Sequence, residues 1–503
     1  MSGKLSLSPL VGKIAELLAG KSVELGGIYL VGGAVRDGLL GWSSHDLDFV
    51  VNEDSLETGR KVADALGGAY FTLDEEFQVG RVVLTPENQP RQIFDFVKLQ
   101  GKDLVDDLQN RDFSINAMAV SLAEMDTLID PLGGASDLLQ RRLNACSEES
   151  LRSDPVRVLR AVRMSAKYQL AIAPKTRQLI VESVPSLVDV SAERLRDELF
   201  KILDSPRPSA SLRILDRLGA MEIILPEIAE LKTVSHAPPH IYDLWEHTLH
   251  TVEGLEEILQ LLDEHYVHDN QSGGDLFSGL VSQRLGRYRK QISAHMAEEL
   301  VPERTARPLI FLAALLHDIT KPAHLTVEEG GRIRFTGHEA SGAEFAAHFG
   351  ARLKLSRAEI HRLRRTIADH ARPWYLAKLE AGPSKKAIYH FWRDNRDTGI
   401  DICLLELADL RGVYGYTLSK EIMEQHLDAV RTLLEGYFET PQLALPKALL
   451  DGNALIARLG IKPGPVVGEV LNALIEAQVE GEVQTREQAL EFAAEYLSNL
   501  NEN

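Results

Sequence analysis

The stretch LVGGAVRDGLLGWSSHDLDFVV, Leu30 to Val51, decides how the N-terminal part of this chain is read. At its two ends, IYLV (28–31) and LDFVV (47–51) are short runs rich in β-branched and aromatic residues, and they predict strands. Between them two glycines open a turn, and Val35 to Leu40 predicts the start of a helix. Asp46 and Asp48 stand two apart on the second strand, so both carboxylates share one face. Like charges held that close repel unless a cation lies between them. A hard, oxygen-ligated ion such as Mg²⁺ fits, and it would bridge to substrate phosphates. Gly32 and Gly33 let backbone N–H groups approach a phosphate, and Arg36 follows to pair with the same polyanion. Together these features predict nucleotidyl transfer with metal ions at the attacked phosphorus. The alternative is a surface turn with solvated aspartates.

Working outward, the 503 residues suffice for two to four domains. Hydrophobic content of 44% and charged content of 26% are those of a soluble globular protein. No apolar run is long enough to span a membrane, and the first residues lack a signal-peptide layout. Two cysteines, Cys146 and Cys403, exclude a disulfide framework and a thiolate zinc site, so a cytoplasmic location is expected. The net charge of −19 argues against a generally basic nucleic-acid coat. Local balance differs. Residues 141–213 hold 14 Lys/Arg against 9 Asp/Glu, and residues 352–396 hold 12 against 4. A polyanion would be steered to these two stretches, unless they are simply solvated helix faces.

Residues 55–67 predict a helix, and 80–84 and 92–98 predict strands, so the first 140 residues form an α+β domain. From Pro155 onward apolar residues recur at spacings of three and four, and the pattern is helical. Residues 264–304, with SGG at 272–274, predict a loop-bearing insertion. Residues 439–452 predict a linker into a last helical module. A second set of chemistry-bearing residues lies in this helical part. His317-Asp318 forms an HD dipeptide in LLHDITKPAHL, with His247, His338, His370 and Asp409 around it in order. Histidine and aspartate from separate helices can converge on a divalent metal and activate water for phosphoester hydrolysis.

GGAVRD followed by DLD resembles the signature of class II nucleotidyltransferases, the tRNA CCA-adding enzymes and bacterial poly(A) polymerases. NRDFSINAMAV (110–120), SDPVRVLRAVRM (153–164) and ERLRDELFKIL (193–203) are similar to later motifs of that family, in the same order. Residues 449–490 resemble the tail of CCA-adding enzymes, and the HD series resembles an embedded HD phosphohydrolase domain. The resemblance implies a polymerase-β-like head (1–140), a helical neck that reads nucleotide and binds RNA (141–235), an HD-type body (236–438) and a tRNA-binding tail (439–503). It implies that Asp46 and Asp48 hold Mg²⁺, that Gly33 and Arg36 contact nucleotide, and that Arg111 binds triphosphate or base. Asp112 stabilises that loop or serves as an auxiliary carboxylate, and Asp95 is a further candidate. His247, His317, Asp318 and Asp409 are the first candidates for an HD metal (Ni²⁺, Co²⁺ or Mn²⁺), with His338 and His370 next. Two departures stand out: Ser153 where the family often has Glu, available as a helix cap, and Thr320 where it usually has Gly, a source of crowding.

The implied activity is template-independent addition of CCA to the 3′ end of tRNA from CTP and ATP. CC-only, A-only and poly(A) addition are alternatives, as are an HD phosphohydrolase and a non-catalytic RNA-binding module. Cytosine and adenine both offer an amino donor beside a ring acceptor, whereas uracil and guanine offer the reverse. An accepting aspartate beside a donating arginine selects the first pair. Asp154 and Arg157, three apart at a helix start, are placed to do this, with Arg160 one turn on for triphosphate or ring. The alternative is that Asp154 caps the helix with Pro155 at its first position.

Overall fold

The computed structural model describes residues 5–20, 27–86, 90–234, 240–267, 275–329 and 333–502. The chain forms two compact units, Met1–Arg194 with Ile214–Ile224, and Leu195–Arg213 with Leu225–Asn503.

The first unit is built on a seven-stranded sheet: β1 (Ile28–Val31), β2 (Asp46–Val51), β3 (Ala69–Asp74), β4 (Val79–Leu84), β5 (Gln92–Lys98), β6 (Ala119–Ser121) and β7 (Leu128–Ile129). Their order is β3-β4-β5-β2-β1-β6-β7. β2 pairs with β1 antiparallel and with β5 in parallel, which sets Asp48 beside Asp95. Alternation along β2 explains the arrangement. Leu47, Phe49 and Val51 enter a core closed by the helices Pro9–Gly20 and Ser55–Leu66, where Phe49 stacks on Phe96 at 4.9 Å. Asp46, Asp48 and Val50 face the other way, and Val50 joins a smaller cluster with Val31, Leu108 and Ala119. The carboxylates therefore stand on the face away from the main core, with Asp95 in register beside Asp48 and the smaller apolar cluster further along.

The helical unit is organised around Leu244–Leu261, which packs on Ala306–Leu316 and Gly399–Tyr414. Gly412 permits the close approach: a Cβ there would lie 2.9 Å from the carbonyl oxygen of His247 and 3.0 Å from its ring. The C-terminal segment has its own apolar core, with Leu450, Leu455, Val470, Leu474, Ala477, Val483, Ala489 and Ala493 all buried. Glu476 ties it to the helix Lys385–Asn395 through Lys386 at 2.6 Å and His390 at 2.8 Å.

Several sequence expectations need correction. The insertion at 264–304 is mainly helical where described, with Leu276–Leu285 and Arg289–Met296. Phe277, Leu280, Val281 and Leu285 face inward, a pattern its polar composition concealed. The SGG at 272–274 lies outside the described residues. Residues 441–444 of the expected linker form one helical turn that buries Ala444. The helix at 157 begins at Arg157 with Val156 as its cap residue, so neither Ser153 nor Asp154 caps it. Ser153 instead closes the preceding helix, Glu149–Arg152. Thr320 does not crowd its neighbours. Gly342 opposite leaves room, and the hydroxyl donates to the carbonyl of His338 at 3.0 Å.

Candidate active site

In the first unit, Gly32 sits at φ 73°, ψ −135°, a conformation that essentially only glycine adopts. A Cβ at this position would meet Nη1 of Arg111 at 3.3 Å and Oδ2 of Asp48 at 3.5 Å. The glycine turn, the metal-binding candidate and the motif arginine therefore share one small space. Asp46 and Asp48 are exposed. The Asp48 carboxyl is pushed up to about 6, by desolvation first and then by the like charges of Asp95 and Asp46, with Arg111 opposing. Because Asp48 remains open to water, the neighbouring carboxylates are the firmer part of that cause. This excess of negative charge suits a divalent cation. Asp95 is already engaged in a two-point pair with Arg81, at 2.8 and 2.9 Å.

The other head candidates divide into two kinds. Arg36 turns inward: it is buried, pairs with Asp37 at 2.8 Å, donates to Asn116 and lies 4.2 Å over the Tyr168 ring. It braces the glycine turn. Arg111 pairs with Asp107 at 3.2 Å. Asp112 is buried and accepts from Asn116 at 3.1 Å and from Arg160 at 3.2 Å, so it joins the second motif to the helix Arg157–Tyr168. Arg157 spends its guanidinium on the carbonyls of Ser150, Asn110 and Arg111 at 2.8, 3.2 and 3.3 Å. Its Nε lies 3.5 Å from Asp154. Asp154 also accepts from Arg194 at 2.6 Å, while its Oδ1 is buried with no hydrogen-bond partner among the described residues. Arg194 was not among the sequence candidates. It lies 40 residues from Asp154, at 55% side-chain exposure. Its place in the ERLRDELF segment was the available signal.

In the helical unit the expected set converges. Nε2 of His247 lies 3.1 Å from Asp318, 3.1 Å from Asp409 and 3.2 Å from Nε2 of His317. The HD dipeptide follows the end of Ala306–Leu316, with His317 as its cap residue. The second-choice histidines come in as well: His338 and His370 lie 3.3 and 3.9 Å from the other oxygen of Asp318. Two ligand groups thus share one carboxylate. Lys321 contacts Asp318 at 2.5 Å. Burial alone would lower His317, but Asp318 and Asp409 outweigh it and push the imidazole up to about 10. Burial and His317 pull His370 down to about 4. Both oxygens of Asp318, Oδ1 of Asp409 and Nε2 of His338 are buried without a well-formed hydrogen bond among the described residues. Their neighbours are the converging histidine nitrogens and Lys321, and a divalent metal fits this donor set.

Family models match along the chain in the order this geometry suggests. The poly(A) polymerase head domain matches 28–144, and the RNA and SrmB-binding site of polymerase A matches 169–232. The HD domain matches 244–411, and tRNA nucleotidyltransferase domain 2 matches 424–494. An A-adding tRNA nucleotidyltransferase of Deinococcus radiodurans is 33% identical over 449 residues, covering 88% of this chain and 89% of that protein. The chain belongs to the tRNA nucleotidyltransferase family. A CC-adding tRNA nucleotidyltransferase of Geobacter sulfurreducens is 31% identical, covering 88% and 86%. The fold agrees with a solved Thermotoga maritima CCA-adding enzyme complexed with tRNA, at TM-score 0.56 and 22% identity, covering 98% and 96%. Membership makes the chain a nucleotidyltransferase with an HD domain. No helix among the described residues is long and apolar enough to cross a membrane.

Proposed function

We propose that the chain adds C and A to the 3′ end of tRNA from CTP and ATP without a template strand, in the cytoplasm. The observation that carries this reading is the shared space of Gly32, Asp48 and Arg111, which joins a phosphate-accepting turn to a carboxylate pair. Asp46 and Asp48 would hold Mg²⁺, and that ion supplies charge neutralisation at the attacked phosphorus. The chain's own residues do the rest. The N–H group of Gly33 and the guanidinium of Arg111 orient the triphosphate, the Gly32 N–H being donated instead to the carbonyl of Met118 at 3.3 Å, and Arg36 keeps the turn in place. Asp112 anchors Arg160 beside it. Asp154 accepts the amino group of cytosine or adenine. The exposed guanidinium of Arg194 is better placed to donate to the ring nitrogen than Arg157, whose terminal Nη groups donate to carbonyls. The neck and tail bind tRNA mainly through phosphates, so binding weakens with salt. Labelled CTP and ATP offered to tRNA transcripts ending before, within or after CC give the test. Failure to extend any of them sinks the reading.

One observation favours a narrower form. Of three relatives matched along nearly nine tenths of the chain, one is an A-adding and two are CC-adding tRNA nucleotidyltransferases. The same transcripts decide it: a CC-adder extends the bare end and stops, while an A-adder requires CC already present. The HD group supports a separate phosphoester hydrolysis with Ni²⁺, Co²⁺ or Mn²⁺, tested with a 2′,3′-cyclic phosphate.

A further inference from the structure

Trp42 stands between the glycine turn and Asp46, and 48% of its surface is exposed. A singly exposed aromatic is ordinary. This one is held from beneath. Its ring stacks on Tyr168 with centroids 5.6 Å apart and planes at 24°. Tyr168 is buried, donates its hydroxyl to Asp37 at 3.2 Å and lies under the Arg36 guanidinium at 4.2 Å. Asp37 also accepts from the backbone N–H of Trp42, through its carbonyl, at 2.9 Å. The result is a column of guanidinium, phenol and indole, fixed on the turn that opens the active site and ending in an open aromatic face. Arg160, Arg163 and Lys167 follow at spacings of three and four along Arg157–Tyr168 and make one cationic stripe toward it. Nζ of Lys167 lies 5.2 Å from the Tyr168 ring. A cationic track beside a fixed aromatic face is the arrangement that holds single-stranded nucleic acid.

The position selects among nucleobases. Tyr168 and Arg157 are opposite ends of one helix, roughly 16 Å apart. The column is therefore remote from Asp154, where the incoming base is read. We propose that Trp42 is a stacking platform for an unpaired base of the RNA strand being extended, upstream of the reacting 3′ hydroxyl, with Lys167 and Arg163 beside its phosphates. This rests on the nucleotidyl-transfer reading above.

The test is equilibrium binding of a tRNA transcript lacking its CCA end, without divalent metal so that no turnover occurs. Trp42→Ala should weaken binding about tenfold, and Trp42→Phe, which keeps a π face, should recover most of it. KM for CTP and ATP should not move in either variant. Thermal melting checks the fold, and Trp42→Leu carries the test should the alanine variant not fold. Unchanged RNA affinity in Trp42→Ala overturns the proposal. So does a rise in nucleotide KM alone, which would give the platform to the incoming nucleotide. Wild-type protein that binds RNA through Trp42 yet extends nothing would sink the transfer reading and leave the platform standing.

Discussion

Replacing Gly32 by alanine separates strain from function. Alanine at φ 73°, ψ −135° costs about 1–3 kcal/mol of stability. That is a sizeable part of the roughly 5–15 kcal/mol that holds a domain folded. The added methyl also meets Arg111 at 3.3 Å and Asp48 at 3.5 Å, so both groups must give by a few tenths of an ångström. A misplacement of 1 Å at a reacting centre can cost about 10²-fold in rate, so a loss of about tenfold in kcat/KM for CTP is expected. Gly67 supplies the control. It caps the helix Ser55–Leu66 at φ 69°, and a Cβ there meets nothing within 4 Å. Gly67→Ala should lose about 1 kcal/mol in a urea melt and keep its kcat/KM. Both variants are assayed well below their melting temperatures. Wild-type kcat/KM in Gly32→Ala would refute the claim that the turn, the carboxylate and the arginine share one working space.

Asp46→Ala and Asp48→Ala should each lower CTP and ATP incorporation by more than about 10²-fold, a loss of several kcal/mol in transition-state stabilisation, with unchanged circular dichroism. The raised Asp48 carboxyl adds a pH signature. A ligand carboxylate must be ionised, so at limiting Mg²⁺ the rate should fall as pH drops through about 6. The stability effect has the opposite sign: with the folded value above the ordinary 3.8, metal-free protein gains stability as pH falls from about 6 toward 4. Melting with chelator and with saturating Mg²⁺ across that window should show the gain in the first series only. Asp154→Ala and Arg194→Ala should each raise UTP or GTP misincorporation relative to CTP and ATP, measured by primer extension; a loss of rate with intact selectivity would make the pair structural. His317→Ala should remove any metal-dependent phosphoester hydrolysis while nucleotide addition continues at the wild-type rate.

Much of the candidate site was legible because its residues are spaced locally in sequence. Asp46, Asp48, Gly32 and the HD dipeptide announce themselves by spacing alone, and strand alternation orients the first pair correctly. What stayed hidden was set by contacts distant in sequence. The partnership of Arg194 with Asp154 depends on how two helices meet, and the diversion of Arg157 onto three carbonyls depends on the loop at 110–111. The edge strand Ala69–Asp74 escaped because most of its residues are exposed, so no apolar alternation marks it. Arg36 misled for the converse reason: a motif arginine looks the same in sequence whether it meets substrate or braces the turn behind it.

The C-terminal segment with its own apolar core has a thermodynamic consequence. Its buried leucines, valines and alanines contact one another, while the helix Pro465–Glu480 packs on Lys385–Asn395 and Glu476 adds exposed-to-half-buried charge pairs there. Surface ion pairs of this sort contribute only about 0–1 kcal/mol each. Its coupling to the rest therefore rests on these pairs and on the packing of Pro465–Glu480 against Lys385–Asn395, within one compact unit, and the segment is expected to open before the helices around the HD group. Hydrogen exchange should find residues 450–493 opening as a unit at a lower free energy than the helices around His317. Salt should widen that gap.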